Sequence, residues 1–172
     1  RLSRHGVLTR SMPAIESLGS ATVLAVDKTG TLTENRMTVS VLDDGVRRLV
    51  LDGQRGELDP VMRRLLGSAL ASCEIDAFDP MERAIAAAAL NHAAREAEEL
   101  GGMTLVHEYE LTPELLAVTH VWKPHESNRL LVSAKGAPEA IAGLCHLEPA
   151  AVTRLLARVE QIARDGLRVL AI

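Results

Sequence analysis

Residues 21–33 read Ala21-Thr22-Val23-Leu24-Ala25-Val26-Asp27-Lys28-Thr29-Gly30-Thr31-Leu32-Thr33, and two kinds of chain meet there. Ala21 to Val26 is a continuous run of strand-forming residues, the pattern of a strand buried on both faces. It stops at Asp27, and a polar loop containing Gly30 follows. Open α/β sheets place their chemistry in such loops, at the carboxyl ends of strands. Asp27 would then be held rigidly with its oxygens toward the crevice. Gly30 lets backbone amides approach an anion, and Thr29 and Thr31 supply hydroxyl donors. A carboxylate in that position can act as a nucleophile toward a phosphoryl group when the phosphate charge is neutralised and the attack is in line.

Outward from this stretch the pattern changes. Upstream, a basic, mixed segment leads to a short helix, Met12 to Leu18, with Ser11 placed to cap it, Pro13 in its first turn and Gly19 at its end. Downstream, Val39–Leu42 and Val46–Leu51 read as strands joined by the turn Asp43-Asp44-Gly45. Asp59-Pro60 opens a helix through about Cys73. Asp79-Pro80-Met81-Glu82 opens an alanine-rich helix that runs to Leu100 and ends at Gly101-Gly102. Asp79 and Glu82 have capping-box spacing, and Phe78 before them suits a hydrophobic staple. Three strands follow, at about Thr104–Leu111, Leu115–Trp122 and Arg129–Ala134, with Lys123 to Asn128 as a polar turn. Pro138–Leu144 and Pro149–Asp165 are helical, the latter with the apolar stripe Leu155, Leu156, Val159 and Ile162. Gly166 ends that helix, and Leu167–Ile172 begins another buried strand. The middle is thus an antiparallel sheet flanked by helices. The strand before Asp27 belongs to a different, parallel sheet whose other strands are not in the sequence, so the chain reads as part of something larger.

Composition narrows the function. Of 172 residues, 47% are hydrophobic and 24% charged, which excludes disorder as the bulk state. A net charge of −4 without runs of like charge argues against nucleic acid as a partner. The longest purely apolar stretch, Ala84 to Leu90, is far short of the ~20 residues of a membrane span. Arg1 to Gly19 lacks the apolar region of a signal peptide. Cys73 and Cys145 form no C-x-x-C, and the six histidines (His5, His92, His107, His120, His125, His146) lack ligand spacing. Neither set points to a metal site, and the cysteines fit a reducing compartment.

Asp27-Lys28-Thr29-Gly30-Thr31-Leu32-Thr33 resembles the phosphorylation signature of the P-type ATPases, ion pumps that form an aspartyl phosphate. A chosen seven-residue string arises by chance in this length on the order of once in ten million. Lys135-Gly136-Ala137-Pro138-Glu139 is similar to the family's second signature, in its nucleotide-binding domain. Asp79-Pro80-Met81-Glu82 resembles its Asp-Pro-x-Glu element, and Gly166-Leu167-Arg168-Val169-Leu170-Ala171 its Gly-x-Arg-x-Leu-Ala segment. The resemblance implies an α/β (α+β) fold. Residues 1–36 would be an N-terminal fragment of a haloacid-dehalogenase-like Rossmann phosphorylation domain, and residues 37–172 the nucleotide-binding domain. It implies Asp27 as nucleophile with Lys28 and Thr29 beside it, and magnesium on Asp27 and Thr29. It also implies a nucleotide site of Glu82 (facing the adenine amino group), Leu111, Lys135, Gly136 and Arg168. Thr29 stands where superfamily phosphatases carry an acid/base aspartate, so the phosphoenzyme should persist.

Leu111 occupies the position of the family's adenine-stacking phenylalanine, and the basic pair expected after it is absent. Tyr109, of the same strand parity, and Phe78 are the other candidate rings. No Ser-Glu-His-Pro-Leu string of the copper and zinc exporters is present, so the resemblance points to the calcium-, sodium- or magnesium-pump branch. ATP and magnesium are the implied cofactors. The implied partners are the rest of the phosphorylation domain, the actuator and transmembrane domains and the transported cation, and the implied place is the cytosolic side of an integral membrane protein. The chain alone should bind nucleotide without turnover. Two alternatives remain open, a non-catalytic nucleotide-sensing module and a haloacid-dehalogenase-type phosphatase fragment.

Overall fold

The computed structural model describes residues 11–51, 58–125, 127 and 129–172. The basic segment 1–10 with His5, and Glu126 and Asn128 of the polar turn, lie outside the described residues. The chain divides into two compact units, Arg1–Asn35 and Arg36–Ile172.

In the first unit, α1 (Met12–Gly19) starts after Ser11 with Pro13 in its first turn. Residues 21–26 form no strand, against the expectation of a buried one. Val23 and Leu24 are 84% and 81% exposed. The reason is physical: a strand of this kind needs neighbours for its backbone N–H and C=O groups, and the described residues of this unit form no other strand. The parallel sheet of a Rossmann domain is therefore not formed among the described residues.

The second unit is a mixed α/β fold with small antiparallel sheets flanked by helices. β1 (Val41–Asp43) and β2 (Arg48–Val50) pair antiparallel through a turn in which Gly45 takes φ 84° and the Asp44 carboxylate accepts from the amides of Val46 and Arg47. α2 (Pro60–Ala71) is capped by Asp59, and α3 (Pro80–His92) by Asp79. The expected single helix to Leu100 is broken at Ala93 (φ −139°, ψ 41°), and α4 (Ala94–Gly101) restarts there. Packing decides this break. Ala93 is buried among Leu42, Leu58, Met62, Leu66 and Ala89, and the new direction brings Glu96 to Arg63 of α2 at 3.4 Å.

β3 (Met103–Tyr109), β4 (Ala117–Pro124) and β5 (Leu131–Gly136) form a three-stranded antiparallel sheet, with a bulge between Leu105 and His107. α5 (Pro138–Leu144) and α6 (Pro149–Arg164) follow, and Leu155, Leu156 and Val159 are half-buried with Ile162 fully so. Leu167–Ile172 is not the expected strand. It touches the sheet through one antiparallel bridge, Gly136 to Ala171, and continues no ladder along β5. No helix among the described residues is long and apolar enough to cross a membrane.

Candidate functional site

The loop after Asp27 is built by its own residues. Thr29 (φ −79°, ψ 123°) and Gly30 (φ 75°, ψ −3°) hold the central positions of a type II turn, the second of which requires a positive φ. Thr33 closes the loop twice: its amide donates to the Lys28 carbonyl at 3.2 Å, and its hydroxyl accepts from the Gly30 amide at 3.3 Å. Asp27, Lys28 and Thr29 are exposed, so the carboxylate is open to an incoming electrophile. Magnesium keeps several waters and binds through one or two carboxylates plus substrate phosphates, and the exposed Asp27 would supply one such carboxylate with the Thr29 hydroxyl beside it. No three His, Cys, Asp or Glu side chains gather to hold a metal among the described residues.

In the second unit the C-terminus of α2 organises the chemistry. The last carbonyls of a helix have no partner within it and carry negative partial charge. Here side chains of the sheet satisfy them. Ser133 Oγ donates to the Ser68 carbonyl at 2.6 Å, Trp122 Nε1 donates to that of Ala71 at 2.6 Å, and Lys135 Nζ donates to that of Ser72. Ser72 Oγ and Cys73 Sγ both donate back to the Ala69 carbonyl. Lys135 is only 5% exposed, and its ammonium also meets Glu82 Oε1 at 2.5 Å. Glu82 lies in the first turn of α3 and is 8% exposed, and its Oε2 accepts from the Glu74 amide at 3.3 Å. Two residues from separate segments thus share one buried ion pair, wedged between the end of α2 and the start of α3.

This corrects the capping box. Asp79 does its half, accepting from the amides of Met81 and Glu82 at 2.7 and 3.3 Å. The Glu82 carboxylate is turned to Lys135 and Glu74 instead, because an unpaired buried ammonium is more costly than an uncapped amide at a solvated helix start. The staple is also absent: Phe78 is 92% exposed. Burial beside this pair pushes the Cys73 thiol up to about 12, with the Glu82, Asp79 and Glu74 carboxylates adding to the effect and Lys135 opposing it.

The other expected residues are less gathered. Gly136 pairs with Ala117 of β4, so closely that a Cβ would stand 2.2 Å from the Leu116 carbonyl oxygen. Leu111 lies just beyond the end of β3, 56% exposed, before a turn in which Thr112 and Leu115 exchange backbone hydrogen bonds. Tyr109 is 57% exposed, its ring edge-on to His107 at 4.3 Å between centroids. Arg168 is exposed and lines a cavity of about 690 Å³ among α6, the β1–β2 hairpin, α2 and α3. Glu82, Leu111 and Lys135 do not line that cavity.

Sequence reasoning missed the Ser72 carbonyl and the Glu74 amide, since backbone groups carry no residue-type signal. His120, one of the six histidines that lack ligand spacing, is wholly buried with Nε2 3.5 Å from Glu108 Oε1. Neither ring nitrogen has a hydrogen-bond partner among the described residues. Its alternation with Trp122 on the inner face of β4 was the available clue.

No family model matches the chain. Over 66 residues, 36% of this chain, it is 44% identical to the Cation-transporting ATPase pma1 of Synechocystis sp.. The chain spans only 7% of that protein's length. The molecule is therefore a mixed α/β protein with homology, over about a third of its length, to a protein named as a cation-transporting ATPase.

Proposed function

We propose that this chain is the nucleotide-handling, cytosolic part of a cation-transporting P-type ATPase of the calcium-, sodium- or magnesium-pump branch. The observation that carries the reading is the buried Lys135–Glu82 pair, in which residues of two signature-like segments meet. The partial identity to a cation-transporting ATPase supports it independently. In this reading residues 1–36 belong to the phosphorylation domain and residues 37–172 are the nucleotide-binding domain. Lys135, Gly136, Glu82, Leu111 and Arg168 surround ATP.

The transfer step balances simply. An Asp27 carboxylate oxygen bonds to the γ-phosphorus, the bond from that phosphorus to the β–γ bridging oxygen breaks, and ADP leaves. Lys28 lends positive charge beside the nucleophile, and the Thr29 and Thr31 hydroxyls donate to phosphate oxygens. Thr29 cannot act as a general base toward water, so the aspartyl phosphate lasts long enough to drive an ion-gating change in the transmembrane part. The remaining phosphorylation, actuator and transmembrane domains of the parent are the partners, and the transported cation is its cargo. In this reading the chain by itself binds ATP and does not turn it over.

Titration with ATP, followed by amide NMR shifts, tests this reading. Shifts centred on Glu82, Leu111, Lys135 and Arg168 are expected. No shifts at millimolar ATP, or magnesium-dependent hydrolysis by this chain alone, would count against it.

A further inference from the structure

A nucleotide base stacks on a ring whose face is open to solvent. Apart from histidine the chain has three rings, Phe78, Tyr109 and Trp122. Trp122 is buried, and its Nε1 donates to the Ala71 carbonyl at 2.6 Å, which fixes the ring between β4 and α2. Tyr109 stands opposite Thr119, and Thr119 opposite Ala134, whereas Lys135 stands opposite Val118. Successive residues of a strand face opposite sides of a sheet, so Tyr109 and Lys135 lie on different faces. The Tyr109 ring is also packed edge-on with His107. Phe78 is the ring left open, 92% exposed in the loop between α2 and α3. A staple would pair it with the fourth residue of α3, but that residue is the exposed Arg83 and not an apolar partner. The loop itself is held at both ends. At its start Lys135 Nζ donates to the Ser72 carbonyl, and the Glu74 amide donates to Glu82 Oε2 at 3.3 Å. At its end the Asp79 carboxylate accepts from the amides of Met81 and Glu82.

We infer that Phe78 is the ring on which the nucleotide base stacks, presented by a loop that Lys135, Glu82 and Asp79 hold in place. The inference rests on the nucleotide reading above and adds one residue to that site. A base reaches Phe78 directly from solvent, and no buried group has to move to admit it. Leu111 has no ring to offer, so the stacking surface passes from the end of β3 to the α2–α3 loop. Every base has a π-face, so Phe78 contributes affinity and leaves the choice between bases to polar groups.

The test uses the 172-residue chain with Phe78→Leu, Phe78→Tyr and Tyr109→Leu, each titrated with ATP and with inorganic triphosphate and followed by NMR. Phe78→Leu keeps an apolar side chain at an exposed position and removes the ring, and a dispersed amide spectrum shows that each variant is folded. ATP is expected to bind about ten-fold more weakly to Phe78→Leu, the loss of one stacked ring, and nearly as before to Phe78→Tyr and Tyr109→Leu. Triphosphate, which has no base, should be unaffected in all three. In the unsubstituted chain the adenine H2 and H8 resonances should move upfield on binding and show cross-peaks to the Phe78 ring, and both signals should vanish in Phe78→Leu. A merely structural role would give neither. Equal ATP affinity with and without the Phe78 ring would overturn the inference, as would an equal loss for triphosphate, or adenine cross-peaks to Tyr109 instead. In those cases ATP still binds and the nucleotide reading stands. Failure of the unsubstituted chain to bind ATP would defeat that reading and the stacking role with it.

Discussion

Gly136 and Cys73 are both buried, and each is constrained by what is packed around it. At Gly136 the β4 backbone occupies the space of a side chain, with Leu116 O at 2.2 Å and Ala117 Cα at 2.6 Å from a Cβ built there. Gly136→Ala should therefore lower stability by about 1–3 kcal/mol, read from the denaturation midpoint. An unchanged midpoint would mean that β4 and β5 part easily. At Cys73, burial raises the thiol from 9.0 to about 12. Such a shift favours the folded state below pH 9 and is lost as the pH rises through the folded value, so alkaline pH should destabilise the chain. The same burial should leave Cys73 unreactive toward a thiol reagent at pH 8. Cys145, which is exposed, should react at once, giving one fast thiol before unfolding and two after it.

At the scale of elements, caps and ion pairs set where helices begin and what they touch. Asp79 holds two first-turn amides of α3, the helix that carries Glu82. Asp79→Ala should cost about 1 kcal/mol and loosen the Lys135–Glu82 pair, with Asp79→Asn costing less. A cost near zero would show that tertiary contacts alone fix the helix start. Two ion pairs of opposite sense join α6 and the residue that caps its end to the β1–β2 hairpin: Arg158 Nε meets both Asp43 oxygens at 2.6 and 2.8 Å, and Arg48 meets Asp165 at 2.7 Å. The helix boundaries themselves were legible, because Asp-Pro starts α2 and α3 by simple capping chemistry. The break at Ala93 was not. Alanine favours helix, and only the packing of both halves against α2 stops it there.

For the whole molecule, the two compact units divide after Asn35. A chain that begins at Arg36 should keep the amide spectrum of residues 58–125 and 129–172, since their core of Leu42, Leu58, Met62, Leu66, Ala89 and Ala93 lies wholly within the second unit. Collapse of that spectrum would show that the first unit is needed for the fold. The antiparallel sheet and its flanking helices were readable from period and turn chemistry, which are local properties. Residues 21–26 form no strand here, because an apolar run specifies a buried strand only where neighbours pair with it.

The sequence by itself determined the turn that presents Asp27, because Gly30 and Thr33 act on residues within reach along the chain. It also determined where α2 and α3 start, through the Asp-Pro caps. Only the tertiary structure decided what Glu82 and Lys135 do. Whether a carboxylate caps its own helix, faces a ligand or neutralises a lysine from a distant strand depends on which group is brought beside it in a medium that excludes water. Here that group is a buried ammonium at the end of α2, and its need for a counter-charge outweighs the local alternative.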